Sequence, residues 1–190
     1  MIGGRGSSEE IDCRIVYVGP PGGGKSTTLR AVHDLLDPTA RGGLLAPTRA
    51  DGSTPLMDLL SVQLGELSGR RLRLQLMTAP GEPGRDAVRR TILTGADGLV
   101  FVADSAAPRL RANEEALAAL RLDLDALDQD PVPIVFQYNK RDLPEALPLE
   151  ELERVLNPAG QPFFASIAER GEGVVDPLTE VSERLIRALA

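Results

Sequence analysis

The sequence predicts an α/β domain built on a mostly parallel sheet. Two observations carry that expectation. Short apolar runs of strand length alternate with longer stretches whose apolar residues recur at helical spacing. The first run opens into a glycine-rich segment that leads directly into a helical pattern. A chain of 190 residues has the length of about one domain. With 42% hydrophobic and 26% charged residues it has the composition of a folded protein.

Residues 1–11 are rich in Gly, Ser and acids and read as a flexible lead-in, which leaves 12–190 as a single domain. Cys13–Val18 is a short apolar run ending at Gly-Pro-Pro-Gly, as a buried strand would. Ser26–Leu36 follows the glycine-rich loop as a helix. Asp37–Pro55 is long for a loop, and loops of that length are usually functional or mobile. Arg71–Met77 alternates Leu72, Leu74 and Leu76 with Arg71, Arg73 and Gln75, a strand with one wet face. Leu56–Leu64 pairs with it across Gly65–Gly69, giving one antiparallel edge strand. Leu99–Ala103 and Ile134–Tyr138 are continuous apolar runs, as central parallel strands are, and Phe163–Ile167 is a sixth strand. Leu110, Leu117, Leu120, Leu124 and Leu127 share one helical face. So do Val174, Leu178, Val181, Leu185 and Leu189, with Asp176 expected as N-cap and Pro177 as the first helical residue.

Composition removes several functions. The net charge of −7 argues against a role resting on duplex binding, which needs Lys and Arg to displace counterions. Aromatics at 3% and the absence of Trp argue against a stacking platform for single strands. One Cys and one His, Cys13 and His33, are too few for a thiolate or imidazole metal site. The N-terminus lacks the apolar stretch of a signal peptide, Ile2 breaks the myristoylation pattern, and the C-terminus carries no Cys to prenylate. The expectation is a cytosolic protein with no membrane anchor of its own. Asp123, Asp125, Asp128 and Asp130 read as a solvated acidic face, and Arg85–Arg90 as a solvated basic surface, with a partner surface as the alternative.

The strongest motif is Gly19-Pro20-Pro21-Gly22-Gly23-Gly24-Lys25-Ser26, which fits G-x-x-x-x-G-K-S after a strand and before a helix. Glycines let backbone N–H groups converge on phosphate oxygens, and the helix N-terminus adds partial positive charge. In this pattern Lys25 reaches the β- and γ-phosphates, Ser26 is a magnesium ligand, and Thr27 is placed for the α-phosphate. A second motif, Asn139-Lys140-Arg141-Asp142, ends a central strand. Asp142 can accept from guanine N1–H and the 2-amino group, a pairing that adenine cannot return. The Lys140 stem can lie over the purine, and Asn139 can tie this loop to the phosphate loop. Leaving a carboxylate unpaired costs at least about 1–3 kcal/mol per group, so guanine should be preferred by on the order of a thousandfold.

Together these motifs make the chain resemble the Ras-like small GTPases. More narrowly it resembles the bacterial MglA group, which controls cell polarity and gliding motility. That narrower likeness rests on Ile15–Pro20, Gly98–Ser105, Arg109–Asn113 and Asn139–Pro148. The resemblance implies a P-loop, Ras-like G domain with a six-stranded sheet and helices on both faces. It implies GTP/GDP and magnesium as ligands, a Roadblock-type, MglB-like activating protein as partner, and further protein effectors. By resemblance Ser166, Ile167 and Ala168 form the loop that offers a backbone N–H to guanine O6, with Ala168 the best match. Thr78-Ala79-Pro80-Gly81-Glu82 stands where small GTPases usually carry D-x-x-G-Q, so Gly81 would sense the γ-phosphate. Thr78 replaces the Asp, as it does in the MglA group, which implies magnesium held with less carboxylate help. Thr54 is the first-switch threonine that would bind magnesium, with Thr48 as competitor.

Three departures bear on catalysis. Glu82 replaces the water-orienting Gln and adds negative charge beside the phosphates. Ser53 stands where the MglA group often has an arginine acting in cis, worth about 10³–10⁵ in rate. Arg49, Arg85, Arg89 and Arg90 are nearby in sequence to substitute. Pro21 occupies a phosphate-loop position usually held by Gly. The leading expectation is a GTPase switch with slow intrinsic hydrolysis. The alternatives are a nucleotide-gated scaffold that hardly hydrolyses and, against the Asn139–Asp142 motif, a P-loop ATPase or nucleotide kinase.

Overall fold

Six strands form one sheet in the order β2-β3-β1-β4-β5-β6 in the computed structural model, which describes residues 10–46 and 57–189. The elements are β1 (Glu10–Val18), α1 (Lys25–Leu35), β2 (Leu59–Leu67), β3 (Arg70–Thr78), α2 (Asp86–Leu93), β4 (Gly98–Asp104), α3 (Leu110–Leu127), β5 (Ile134–Asn139), α4 (Leu149–Leu156), β6 (Phe163–Ala165) and α5 (Val175–Leu189). All pairings are parallel except β2 with β3, the antiparallel edge hairpin. The expected fold class is therefore observed: a mixed sheet with one antiparallel edge, compatible with a Ras-like P-loop G domain.

Strand alternation builds two cores. On β1, Ile15 and Tyr17 pack on one face with Leu29 and Val32 of α1 and Val181 and Leu185 of α5. Val16 and Val18 point to the other face, among Phe101 of β4, Phe136 of β5, and Leu93, Leu117, Leu120 and Leu152 from the helices α2, α3 and α4. Because β4 and the second half of β1, residues 15–18, are buried on both faces, their runs read as continuously apolar. Leu72, Leu74 and Leu76 of β3 are buried, and the intervening positions are not.

This order places β1 between β3 and β4, where the chain changes direction across the sheet. Ligands of open α/β sheets bind at such a switch point, beyond the carboxyl ends of the strands. The loop after β1 lies there.

Several expectations change. Glu10 and Ile11 belong to β1, with Ile11 buried, so the lead-in is shorter than residues 1–11; residues 1–9 lie outside the described part. The hairpin turn is at Ser68-Gly69, both at positive φ (53° and 75°), and Gly65 marks a β-bulge within β2. Asp176 lies inside the first turn of α5, where its charge still favours the helix N-terminus, instead of capping it. Helices α2 and α4 carry no sequence expectation. Part of Asp37–Pro55 is tied to the sheet edge: Gly42 and Leu45 donate to Ser61 and Leu59 carbonyls at 2.8 and 2.9 Å. That cover protects the outer edge of β2. Asp123 is not on a solvated face. It is 3% exposed and accepts from Arg89 Nε at 2.5 Å and Arg90 Nε at 2.9 Å, locking α2 to α3. Losing one partner of a buried pair like this costs about 3–5 kcal/mol.

Candidate functional site

The loop Gly19–Ser26 curls around the N-terminus of α1. Gly22 and Gly24 adopt left-handed φ of 72° and 104°, the geometry that turns successive N–H groups inward to form an anion nest. The sequence permits nothing larger at Gly19 or Gly24. A Cβ on Gly19 would lie 2.2 Å from Val102 O, and one on Gly24 would lie 2.1 Å from Asn139 Nδ2. Lys25 folds back over the loop and donates to Gly19 O at 2.9 Å and Pro20 O at 2.8 Å. Burial lowers its pKa to about 8, against the opposing pull of the Glu82 and Asp58 charges. A half-desolvated ammonium at the mouth of an anion nest is poised to take an anion.

The Asn139 side chain joins the two sequence motifs. Its Nδ2 donates to Gly23 O at 3.0 Å, and its Oδ1 accepts from Ala168 N at 2.9 Å and Ser166 Oγ at 3.2 Å. Gln137, one turn of the pleat below, donates to Thr28 Oγ1 at 3.0 Å and Ser166 Oγ at 2.9 Å. These bonds bring the phosphate-loop helix, the end of β5 and the Ser166–Ala168 loop to one crevice. Lys140 is held at φ 63° with Nζ 2.6 Å from Asp104 Oδ2. Asp142 follows on the exposed rim, with Arg170 Nη2 at 3.7 Å. The Ala168 N–H is already donated to Asn139, and the Ile167 N–H to Glu172 O at 2.9 Å. A base oxygen approaching Ala168 would therefore share that hydrogen.

Gly81 is pressed against the phosphate loop. A Cβ there would sit 2.4 Å from Gly19 O and 2.7 Å from Pro21 N. Glu82 is exposed beside it, near enough for its charge to act on Lys25. Thr54, Thr48, Ser53 and Arg49 lie outside the described residues. Of the arginines proposed as substitutes, Arg89 and Arg90 are committed to Asp123.

The 40% identity of this chain to Mutual gliding-motility protein MglA of Myxococcus xanthus (strain DK1622) extends over 185 residues, 96% of the chain and 95% of that protein. The chain belongs to the MglA family of small GTPases. No family model matches it.

Within this MglA-family chain two further groups belong to the site without a motif that marks them. Asp104 and Arg109 sit in segments that carry the resemblance. Arg109 Nη2 donates to Pro21 O at 2.5 Å, and its Nε lies 3.6 Å from Asp104 Oδ2. Asp104 thus stands between Lys140 of the base loop and Arg109, which reaches the phosphate loop from the turn before α3. Its backbone is held by Asn113, which accepts from Asp104 N at 2.9 Å and donates to Asp104 O at 2.8 Å. The other group is Asp58, a buried carboxylate that hydrogen-bonds Thr78. An isolated Asp ahead of a leucine pair gives no sequence signal, because its partner lies 20 residues away.

Proposed function

We propose that this protein is a cytosolic GTPase switch in which residues 12–190 form one G domain. It binds GTP and GDP with magnesium, hydrolyses GTP slowly unaided, and is accelerated by a Roadblock-type, MglB-like activating protein. Its output through protein effectors concerns cell polarity or motility, in keeping with the gliding-motility name of its Myxococcus relative. The observation that carries the reading is the Asn139 clamp, which ties a phosphate nest and a guanine-reading loop into one crevice.

The backbone N–H groups of Gly19 and Gly22–Gly24 would cradle phosphate oxygens, with Lys25 on the β- and γ-phosphates and Thr27 on the α-phosphate. Asp142 would select guanine, the Lys140 stem would lie on its face, and Ser166–Ala168 would close its O6 side. Ser26 and Thr54 would hold magnesium. Magnesium takes one or two protein groups and otherwise phosphates and water. The unpartnered Oδ1 of Asp58 offers it a buried acceptor. When bound, magnesium would neutralise charge on the β- and γ-oxygens.

Anion binding should depend on Lys25 being protonated. With its free pKa at about 8, phosphate contact raises that value, so binding takes up a proton as pH rises past 8. GDP affinity measured in EDTA is expected to fall about tenfold from pH 7 to pH 9. Calorimetry in buffers of differing ionisation enthalpy should show the uptake. A flat profile would remove Lys25 from the account.

Glu82 explains the slow hydrolysis. As a carboxylate it cannot donate to phosphate, and it raises local negative charge where a Gln would orient water. Unassisted turnover is expected at on the order of 10⁻⁴ s⁻¹ or lower, with Glu82→Gln faster. Wild-type turnover near ~1 s⁻¹, the assisted scale, would refute this. The same exposed charge, facing Lys25, also favours a second reading in which the protein is a nucleotide-gated scaffold. Phosphate release with and without a Roadblock partner separates the two: stimulated turnover supports the switch, and none in either case supports the scaffold.

A further inference from the structure

Thr78 ends β3 beside the phosphate loop: Tyr17, two residues before Gly19, is its partner across the β1–β3 ladder. The Thr78 hydroxyl accepts from Asp58 N at 2.8 Å and donates to Asp58 Oδ2 at 3.0 Å. Thr78 N also donates to Asp58 O at 3.1 Å. These bonds fix the Asp58 carboxylate across the strand pair. Asp58 is 1% exposed, and its second oxygen, Oδ1, is buried with no partner. A buried carboxylate oxygen left unpaired is costly, so its retention calls for a cationic or hydrogen-bonding occupant. Its field reaches Lys25 of the phosphate loop.

We propose that Asp58 supplies the carboxylate of the divalent-cation site, from the residue just before β2, in place of the one that D-x-x-G proteins carry on β3. Its Oδ1 accepts from a water of the hydrated magnesium ion, and Thr78 is the positioning residue that aims it. Moving the carboxylate one strand outward keeps the negative charge while leaving a hydroxyl at the end of β3. The expectation that Thr78 leaves magnesium short of carboxylate help is thereby replaced.

The inference rests on the nucleotide-switch reading, and one set of titrations distinguishes their failures. A fluorescent GDP analogue is loaded onto wild type, Asp58→Asn, Thr78→Val and the relocated-carboxylate variant Asp58→Asn/Thr78→Asp. Its affinity is measured in EDTA, and magnesium affinity is read from the slowing of its release as magnesium is added. Asp58→Asn should weaken magnesium by about 10–100-fold, the usual cost of losing an outer-shell partner. GDP affinity in EDTA should change less than about threefold, within ~0.7 kcal/mol. Thr78→Val should weaken magnesium to a smaller extent, and the relocated carboxylate should recover most of the loss. Thermal melts identify any variant that has not folded, in which case Thr78→Val and the relocated variant decide. Unchanged magnesium affinity in the folded variants would overturn the proposal. So would GDP binding that tightens in EDTA with magnesium unaffected, because the carboxylate would then be a barrier to phosphate. Failure of wild type to bind GDP at all would instead remove the switch reading.

Discussion

Replacing Asp142 by Ala should erase most of the preference for guanine. Wild type is expected to bind GDP on the order of a thousandfold more tightly than ADP. In Asp142→Ala the ratio should shrink to within about tenfold, a loss of ~3 kcal/mol in discrimination. The physical reason is that the carboxylate is the group able to accept both guanine N1–H and the 2-amino hydrogens. Adenine presents an acceptor at N1 and nothing at C2, so the same carboxylate desolvates against it without return. The backbone leading to Asp142 is well held, since Arg141 N donates to Ser166 O at 3.1 Å and Arg141 Nη1 to Leu147 O at 2.7 Å. The variant should therefore fold normally, with GDP binding weakened and ADP binding tightened as the unpaired carboxylate is removed. Competitive displacement of labelled GDP by GDP and ADP measures both quantities. A variant that keeps the thousandfold ratio would assign base reading to another group.

Asn139→Ala should damage stability and ligand binding together. Asn139 is 2% exposed, and its amide satisfies Gly23 O, Ala168 N and Ser166 Oγ. Removing it leaves the Gly23 carbonyl and the Ala168 N–H without their bonds in a buried position. Each such group costs about 1–3 kcal/mol, so a total near ~3 kcal/mol is expected. For a chain of this size that is about 6–12 °C in melting temperature. GDP affinity should fall more than about a hundredfold, because the phosphate nest and the base loop lose the bond that fixes their spacing. A melting temperature within about 2 °C of wild type would show that the clamp is not structural.

The parts of the molecule that were legible in sequence are those where one residue type answers to one physical demand. Buried parallel strands need apolar side chains on both faces, so Gly98–Asp104 and Ile134–Asn139 stand out. A tight anion nest needs glycine at positive φ, so Gly19–Gly24 stands out. Short amphipathic helices were not legible. Helix α2 spans eight residues, and its buried face carries Arg89 beside Ile92 and Leu93, which breaks the apolar period. The Asp123 partner that makes Arg89 buriable lies 34 residues on. Helix α4 is equally short and follows a proline-rich stretch that reads as turn. Of the site, the two loops were legible because their motifs are local. Asp58, Asp104 and Arg109 were not, because each acts through contacts between strands or across loops.

The most direct test is a calorimetric titration of the purified wild-type protein with GDP and, separately, ADP, at pH 7 with magnesium. One crevice that grips phosphates and reads guanine predicts saturable, stoichiometric heat with GDP and an affinity for ADP weaker by on the order of a thousandfold. No heat with GDP, or equal heats with both nucleotides, would contradict it.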